Sequence, residues 1–266
     1  MISKESVIKD LKEVRSRSPL VHNITNYVVM NNTANALLAI GASPVMAHAV
    51  EEVEDMVKIA SSLVINIGTL SPSWVEAMLK AGLAAKKKNI PVVLDPVGAG
   101  ATAYRTQTSL QIIRECKPDV IRGNASEIMA LTCKQSDTKG VDSVASSESA
   151  VHGATTLAKD TGAIIIISGP VDYVVDNKSV IQVQNGSPLM GKVTGMGCTA
   201  TALVGAFVAV NCDFIMSSAH AMAVMGIAGE LAAKRSAGPG TMQAYFLDEL
   251  YKLSDKDITN LLKAVS

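Results

Sequence analysis

Leu63-Val64-Ile65-Asn66-Ile67 is an apolar run broken by one amide near its end. A run of this length and β-branched content reads as a parallel strand buried on both faces. Similar short runs stand on either side. Leu20 to Ile24 follows Pro19, Pro44-Val45-Met46 forms a shorter one, and Val92-Val93-Leu94 stops at Asp95. Val120-Ile121-Arg122 and Ala163 to Ile167 complete the series. Segments with 3.6-residue apolar spacing precede and separate them: 5–15, 27–40 closed by Gly41, 51–61, 73–88, 104–116, 125–131 and 147–160. Strands and helices thus alternate from residue 20 to 167. That order predicts a mainly parallel sheet with helices on both faces.

The remainder reads as a hairpin, Asp172–Val175 and Val180–Val183 around Asn177, followed by helices near 198–210, 214–233 and 242–253. There is no internal repeat, and no linker long enough to divide the chain, so one domain over 1–266 is expected. Lys134 to Ser149 is the most polar stretch and reads as a surface excursion.

Hydrophobic residues make up 48% of the chain but aromatics only 3%, so the core must be aliphatic. Lys plus Arg and Asp plus Glu both number 24, which leaves no net field to draw the protein to nucleic acid or an anionic membrane. Val193 to Gly229 carries one formal charge, Asp213. Asn211-Cys212-Asp213 cuts that span into pieces shorter than the ~20 residues needed to cross a bilayer, so two buried helices are predicted. Met1-Ile2-Ser3-Lys4-Glu5 has no signal-peptide pattern, and Cys116, Cys133, Cys198 and Cys212 form no CxxC pair. An intracellular, reducing compartment, the cytoplasm, is the expectation.

In an open parallel sheet, ligands bind beyond the carboxyl ends of the strands. Asp95 lies at such an end and opens Asp95-Pro96-Val97-Gly98-Ala99-Gly100, where a carboxylate can hold Mg²⁺ and glycines let phosphates approach; a turn Asp with loop glycines reads equally well. Arg122-Gly123-Asn124-Ala125-Ser126-Glu127 follows the next strand. Asn124 and Glu127 suit a capping box, a role compatible with Glu127 reaching a metal-bound water. Arg122 can meet a phosphate or form a surface ion pair. Ser168-Gly169-Pro170 offers a hydroxyl at the end of another strand, or a plain turn. In Thr194-Gly195-Met196-Gly197-Cys198-Thr199-Ala200, two glycines precede a long, nearly uncharged helix. Backbone N–H groups and the positive end of the helix dipole make that turn an anion site. Cys198 sits on its first turn, where a thiol pKa is expected to be lowered. Met46 and the run Asn23-Ile24-Thr25-Asn26 can line a pocket for an uncharged organic molecule, or serve as core and turn. The four histidines have no metal-ligand spacing, and there is no GxxxxGK[ST] P-loop.

Six blocks in order resemble the hydroxyethylthiazole kinase family of the ribokinase-like superfamily. They are Pro19 to Asn26, Gly41 to Met46, Asn66 to Leu70, Leu94 to Gly100, Arg122 to Glu127 and Gly195 to Cys198. The resemblance implies a three-layer αβα ribokinase-like fold with a mainly parallel central sheet. It implies a homotrimer with active sites near subunit boundaries. It implies phosphoryl transfer from ATP, with Mg²⁺, to the hydroxyl of 4-methyl-5-(2-hydroxyethyl)thiazole (EC 2.7.1.50) in thiamine biosynthesis or salvage. By the same resemblance Met46, Gly195 and Asn26 lie on the thiazole side, Arg122 and Ser168 on the ATP side, and Asp95 and Glu127 by the metal. Gly195, Gly197 and Cys198 form the catalytic turn. Sugar kinases of this superfamily carry Asp where this chain has Cys198, which shifts weight from a strong base toward the N–H groups and Mg²⁺.

Overall fold

The computed structural model describes residues 2–132 and 147–265. The expected polar excursion therefore falls almost wholly outside the described residues. The chain runs α1 (Lys4–Arg17), β1 (Leu20–Ile24), α2 (Met30–Ile40), β2 (Ser43–Val45), α3 (Val53–Ile59), β3 (Ser62–Asn66) and α4 (Pro72–Lys88). It continues through β4 (Val92–Asp95), α5 (Ala103–Cys116), β5 (Val120–Asn124), α6 (Ala125–Thr132), α7 (Ser147–Thr161) and β6 (Ile164–Ser168). The last part holds β7 (Asp172–Val175), β8 (Val180–Val183), a 3₁₀ turn (Pro188–Lys192), α8 (Met196–Val208), α9 (Phe214–Arg235), α10 (Pro239–Lys252), α11 (Asp255–Leu261) and β9 (Ala264–Val265).

Among the described residues, nine strands form one sheet in the order β2-β1-β3-β4-β5-β6-β7-β8-β9. Pairings from β2 to β6 are parallel, and β7, β8 and β9 close the far edge antiparallel. The expected mainly parallel sheet is therefore present. β9, α11 and the 3₁₀ turn are additions that periodicity does not announce, because each is too short to show a repeat.

Side chains alternate across a strand, so each central strand feeds two cores. Val64, Val93, Val120 and Ile166 pack with α1, α2, α8, α9 and α10. Their neighbours Leu63, Ile65, Val92, Leu94, Ile121, Ile165 and Ile167 pack with α3 to α7. The result is three layers, helix on sheet on helix. α9 is long and apolar enough to cross a membrane by length and composition, but 72% of its most apolar window is buried inside the fold. It and α8 are the two buried helices expected from the weakly charged span.

α8 lies directly on the sheet. A Cβ on Gly205 would come within 2.6 Å of Val64 Cγ2 and 3.2 Å of Val21 Cγ1. The Ser62 hydroxyl donates to the Gly205 carbonyl at 2.8 Å, fixing the same contact. We predict that Gly205→Val, which must push helix and sheet apart, costs about 1–3 kcal/mol of stability through overpacking. It should lower the midpoint of denaturant unfolding without changing the m-value; an unshifted midpoint would show that the layer spacing is soft.

Candidate active site

Two residues beyond each inward valine or isoleucine, the period of two brings a polar side chain to the same face. Asn66 follows Val64, Asp95 follows Val93, Arg122 follows Val120 and Ser168 follows Ile166. Strand register completes the row: Asn66 pairs with Asp95 in β3–β4, and Asn124 with Ser168 in β5–β6. All four thus stand at the carboxyl edge of the sheet, under the start of α8.

Asp95 is 1% exposed. Its Oδ2 accepts from Asn66 Nδ2 at 2.8 Å and from Thr201 Oγ1 at 2.7 Å. Its Oδ1 is buried with no partner. Burial pushes the carboxyl up to about 6, against the pull of Arg122. Asn66 passes the network on. Its Oδ1 accepts from Gly68 N and from Asn26 Nδ2, both at 2.9 Å, and the Asn26 amide also donates to Cys198 Sγ at 3.4 Å. One hydrogen-bonded thread therefore joins Cys198 to Asp95. Asn66 and Thr201 were not singled out from sequence as site residues. Asn66 was legible as the strand-end neighbour of Asp95, whereas Thr201 lies in an apolar helix and carries no local signal.

Gly195 caps α8 with a left-handed backbone, φ +84°, and a Cβ there would meet Val29 Cγ1 at 2.7 Å. Both facts require glycine. No side chain caps the helix, so its first N–H groups face the site. Gly197 lies against Arg122: a Cβ would sit 2.7 Å from Arg122 Nη1. Arg122 Nη2 in turn donates to Ser168 Oγ at 2.6 Å. Arg122 is 9% exposed, which rules out the surface ion pair. Its Nε has no partner.

The Cys198 thiol behaves opposite to the expectation from its helix position. Desolvation first, then the charge of Asp95, push it up to about 11. Burial outweighs the dipole, so the group is a neutral thiol.

Glu127 is the capping residue its spacing suggested. Asn124 N donates to its Oε2 at 2.8 Å, and Glu127 N donates to Asn124 Oδ1 at 2.9 Å. Its Oε1 accepts from Gly98 N at 2.8 Å, tying the glycine loop after β4 to the end of β5. Arg105 holds the same loop from the other side. Its guanidinium donates to the carbonyls of Val97 (2.6 Å), Ile67 (3.2 Å) and Gly68 (2.8 Å). The loops after β3, β4 and β5 are thereby fastened together by one acid and one base.

A cavity of about 440 Å³ opens beside Arg122, Ser168, Gly197 and Asp172. Asp172 is 8% exposed and accepts from Gly169 N at 3.0 Å. Met46 is not part of this cavity; β2 runs one residue earlier than expected, and Met46 follows it at the opposite edge of the sheet. On that side Tyr27 and Trp74 pack with tilted rings, centroids 4.7 Å apart, and the His48 ring centroid lies 4.5 Å from that of Trp74. The structure thus gathers Asn26, Asp95, Arg122, Ser168, Gly195, Gly197 and Cys198 along one edge, with Glu127 beneath the loop and Met46 farther out.

Among the described residues no group of three or more His, Cys, Asp or Glu converges on one point. A cation here must draw most of its ligands from a substrate and water. One buried carboxylate with a free oxygen, Asp95 Oδ1, beside an anion-binding helix end suits Mg²⁺, which keeps water and phosphate oxygens.

Burial raises the Asp172 carboxyl from 3.8 to about 6, so the native chain holds this proton more tightly than the unfolded chain. The sign follows: its contribution to stability falls as pH rises from 3.8 to about 6. We predict that Asp172→Asn gains stability relative to wild type across that window, read as the difference in unfolding midpoints. A difference that stays constant between about pH 4 and pH 7 would contradict it.

Residues 11–256 match the Hydroxyethylthiazole kinase family. A hydroxyethylthiazole kinase of Syntrophus aciditrophicus is 56% identical over 266 residues, covering 100% of this chain and 98% of its own. The solved structure of a hydroxyethylthiazole kinase protein from Pyrococcus horikoshii OT3 superposes with a TM-score of 0.91 at 44% identity, covering 98% of each chain. A ribokinase-like superfamily protein from Enterococcus faecalis V583 shares the fold at 15% identity, with a TM-score of 0.67 over 97% of this chain and 96% of its own.

Proposed function

Since the chain belongs to the hydroxyethylthiazole kinase family, we propose that it transfers the γ-phosphoryl group of ATP to the hydroxyl of 4-methyl-5-(2-hydroxyethyl)thiazole, in thiamine biosynthesis or salvage. The observation that carries this reading is the Gly195–Cys198 turn set between Arg122 and Asn26. An anion-binding helix start, a guanidinium and a positioned acceptor group meet at one place.

The roles follow from the geometry. The N–H groups at the start of α8 and the Arg122 guanidinium bind the phosphates, and Ser168 holds Arg122 in place. Asp95 would hold Mg²⁺, with Glu127 at the border of the metal region, keeping the Gly98 loop in place. When bound, Mg²⁺ neutralises charge that builds on the transferring group. Asn26, Met46 and the Gly195 backbone take the thiazole side. Cys198, held by Asn26 and protonated, orients the acceptor hydroxyl. Phosphoryl transfer through a loose transition state asks for little basicity, and the alcohol gives up its proton late. Cys198 is therefore a positioning thiol and not a covalent nucleophile.

The whole chain, 1–266, acts as one kinase domain in the cytoplasm. It assembles as a homotrimer with sites near subunit boundaries. What supports the assembly is apolar surface beside Asn26, where Tyr27 and Val28 are 65% and 68% exposed.

Incubation with Mg·ATP and the thiazole alcohol should give ADP and a product heavier by one phosphoryl group; an unphosphorylated alcohol would overturn the reading. Gly197→Val should abolish turnover, because its side chain enters the space of Arg122. Cys198→Asp should keep substantial activity, since a carboxylate can also orient the hydroxyl. Wild-type turnover in Gly197→Val would sink the anion-site assignment.

A further inference from the structure

The polar groups of the 440 Å³ cavity are unevenly spent. Those free to bind an anion cluster with Arg122 and the start of α8. The rest of the wall has few side-chain groups left with which to read a nucleobase. Asn185 lines it, but both donors of its amide are used, by Glu230 Oε1 at 3.0 Å and the Leu261 carbonyl at 2.7 Å. Its Oδ1 accepts from Lys263 N at 2.8 Å. Gly186 N donates to Glu230 Oε1 at 3.1 Å. Gly169 N is held by Asp172, and Met190 N by the Ser187 carbonyl at 3.0 Å. Ser187 Oγ accepts from Leu189 N at 3.3 Å, which leaves a rotatable hydroxyl hydrogen that an acceptor on any base can receive. Asp172 Oδ1 accepts from Gly169 N, next to the Ser168 that holds Arg122, so the carboxylate belongs to the phosphate end.

The side chains that remain in the lining are proline, methionine and alanine, among them Pro170, Pro188, Met190, Met222 and Met225. Proline rings present no N–H. Methionine thioethers are flexible and polarizable, and surfaces built from them repack around different partners. Met190 is itself seated on backbone: its Sδ would be 2.3 Å from a Cβ on Gly229. A pocket that reads a base by hydrogen bonds rejects the wrong one by about 10⁴-fold or more, whereas an apolar pocket discriminates by only about 10–200-fold.

We propose that this site recognises the triphosphate and tolerates the nucleobase, so that GTP, CTP and UTP serve as phosphoryl donors alongside ATP. The inference rests on the kinase reading above and sharpens its donor class. The γ-phosphoryl group passes to the alcohol oxygen, the bond to the β-phosphate oxygen breaks, and the corresponding nucleoside diphosphate leaves with the alcohol proton released to solvent.

The test has two arms. The first measures kcat/KM of the wild-type enzyme for each Mg-nucleoside triphosphate with the thiazole alcohol, following phosphorylated product. The second measures Kd of each Mg-nucleotide by calorimetry without the alcohol. Values for GTP, CTP and UTP within about 100-fold of ATP in both arms support base tolerance. A preference for ATP beyond about 100-fold in either arm overturns it. If no nucleotide supports turnover, the kinase reading fails, and the binding arm alone still decides whether the cavity reads the base.

Discussion

Helix α8 can rest on the sheet only because residue 205 has no side chain. That close seating brings Thr201 to hydrogen-bonding distance of Asp95, and Cys198 to the Asn26 amide. It also aims the uncapped N–H groups after Gly195 at the strand ends. The remaining site residues come from the other partner in the contact. Asn66, Asp95, Arg122 and Ser168 continue the inward rows of Val64, Val93, Val120 and Ile166, so the residues proposed to bind are placed by the residues that pack. The candidate site and the core packing share one interface, which is how a fold positions groups more finely than a loop can.

The buried acid at the centre of this interface is balanced, not neutralised. Asp95 meets two donors on one oxygen and none on the other, and its carboxyl is pushed up to about 6. A carboxylate left with a free buried oxygen is costly until a cation or donor reaches it. The cost is borne by the surrounding amides, hydroxyl and guanidinium. It marks the point where the fold departs from its own economy, as sites that bind do.

Much of this was legible in the sequence. Apolar runs ending in Asn66 and Asp95, with amphipathic segments between them, announce a parallel sheet and the edge where ligands gather. The capping role of Glu127 follows from its spacing to Asn124, and Gly195 from the turn it must make. Three things were not legible. Arg105 joins the carbonyls of the neighbours Ile67 and Gly68 to that of Val97 on another loop, and only the fold brings those loops together. Thr201 is hidden in an apolar helix. The state of Cys198 depends on desolvation, which a helix position alone does not reveal. Local spacing reads backbone geometry well; it reads burial poorly, because burial is decided by segments distant in the chain.

A thiol beside the proposed reacting centre would ordinarily be a weak point. Peroxides and alkylating agents attack thiolates, and a helix start is where thiolates are usually made. Here burial and the neighbouring carboxylate keep Cys198 in its inert form. The environment that denies it basicity also lowers its share of thiolate, the form that oxidants attack.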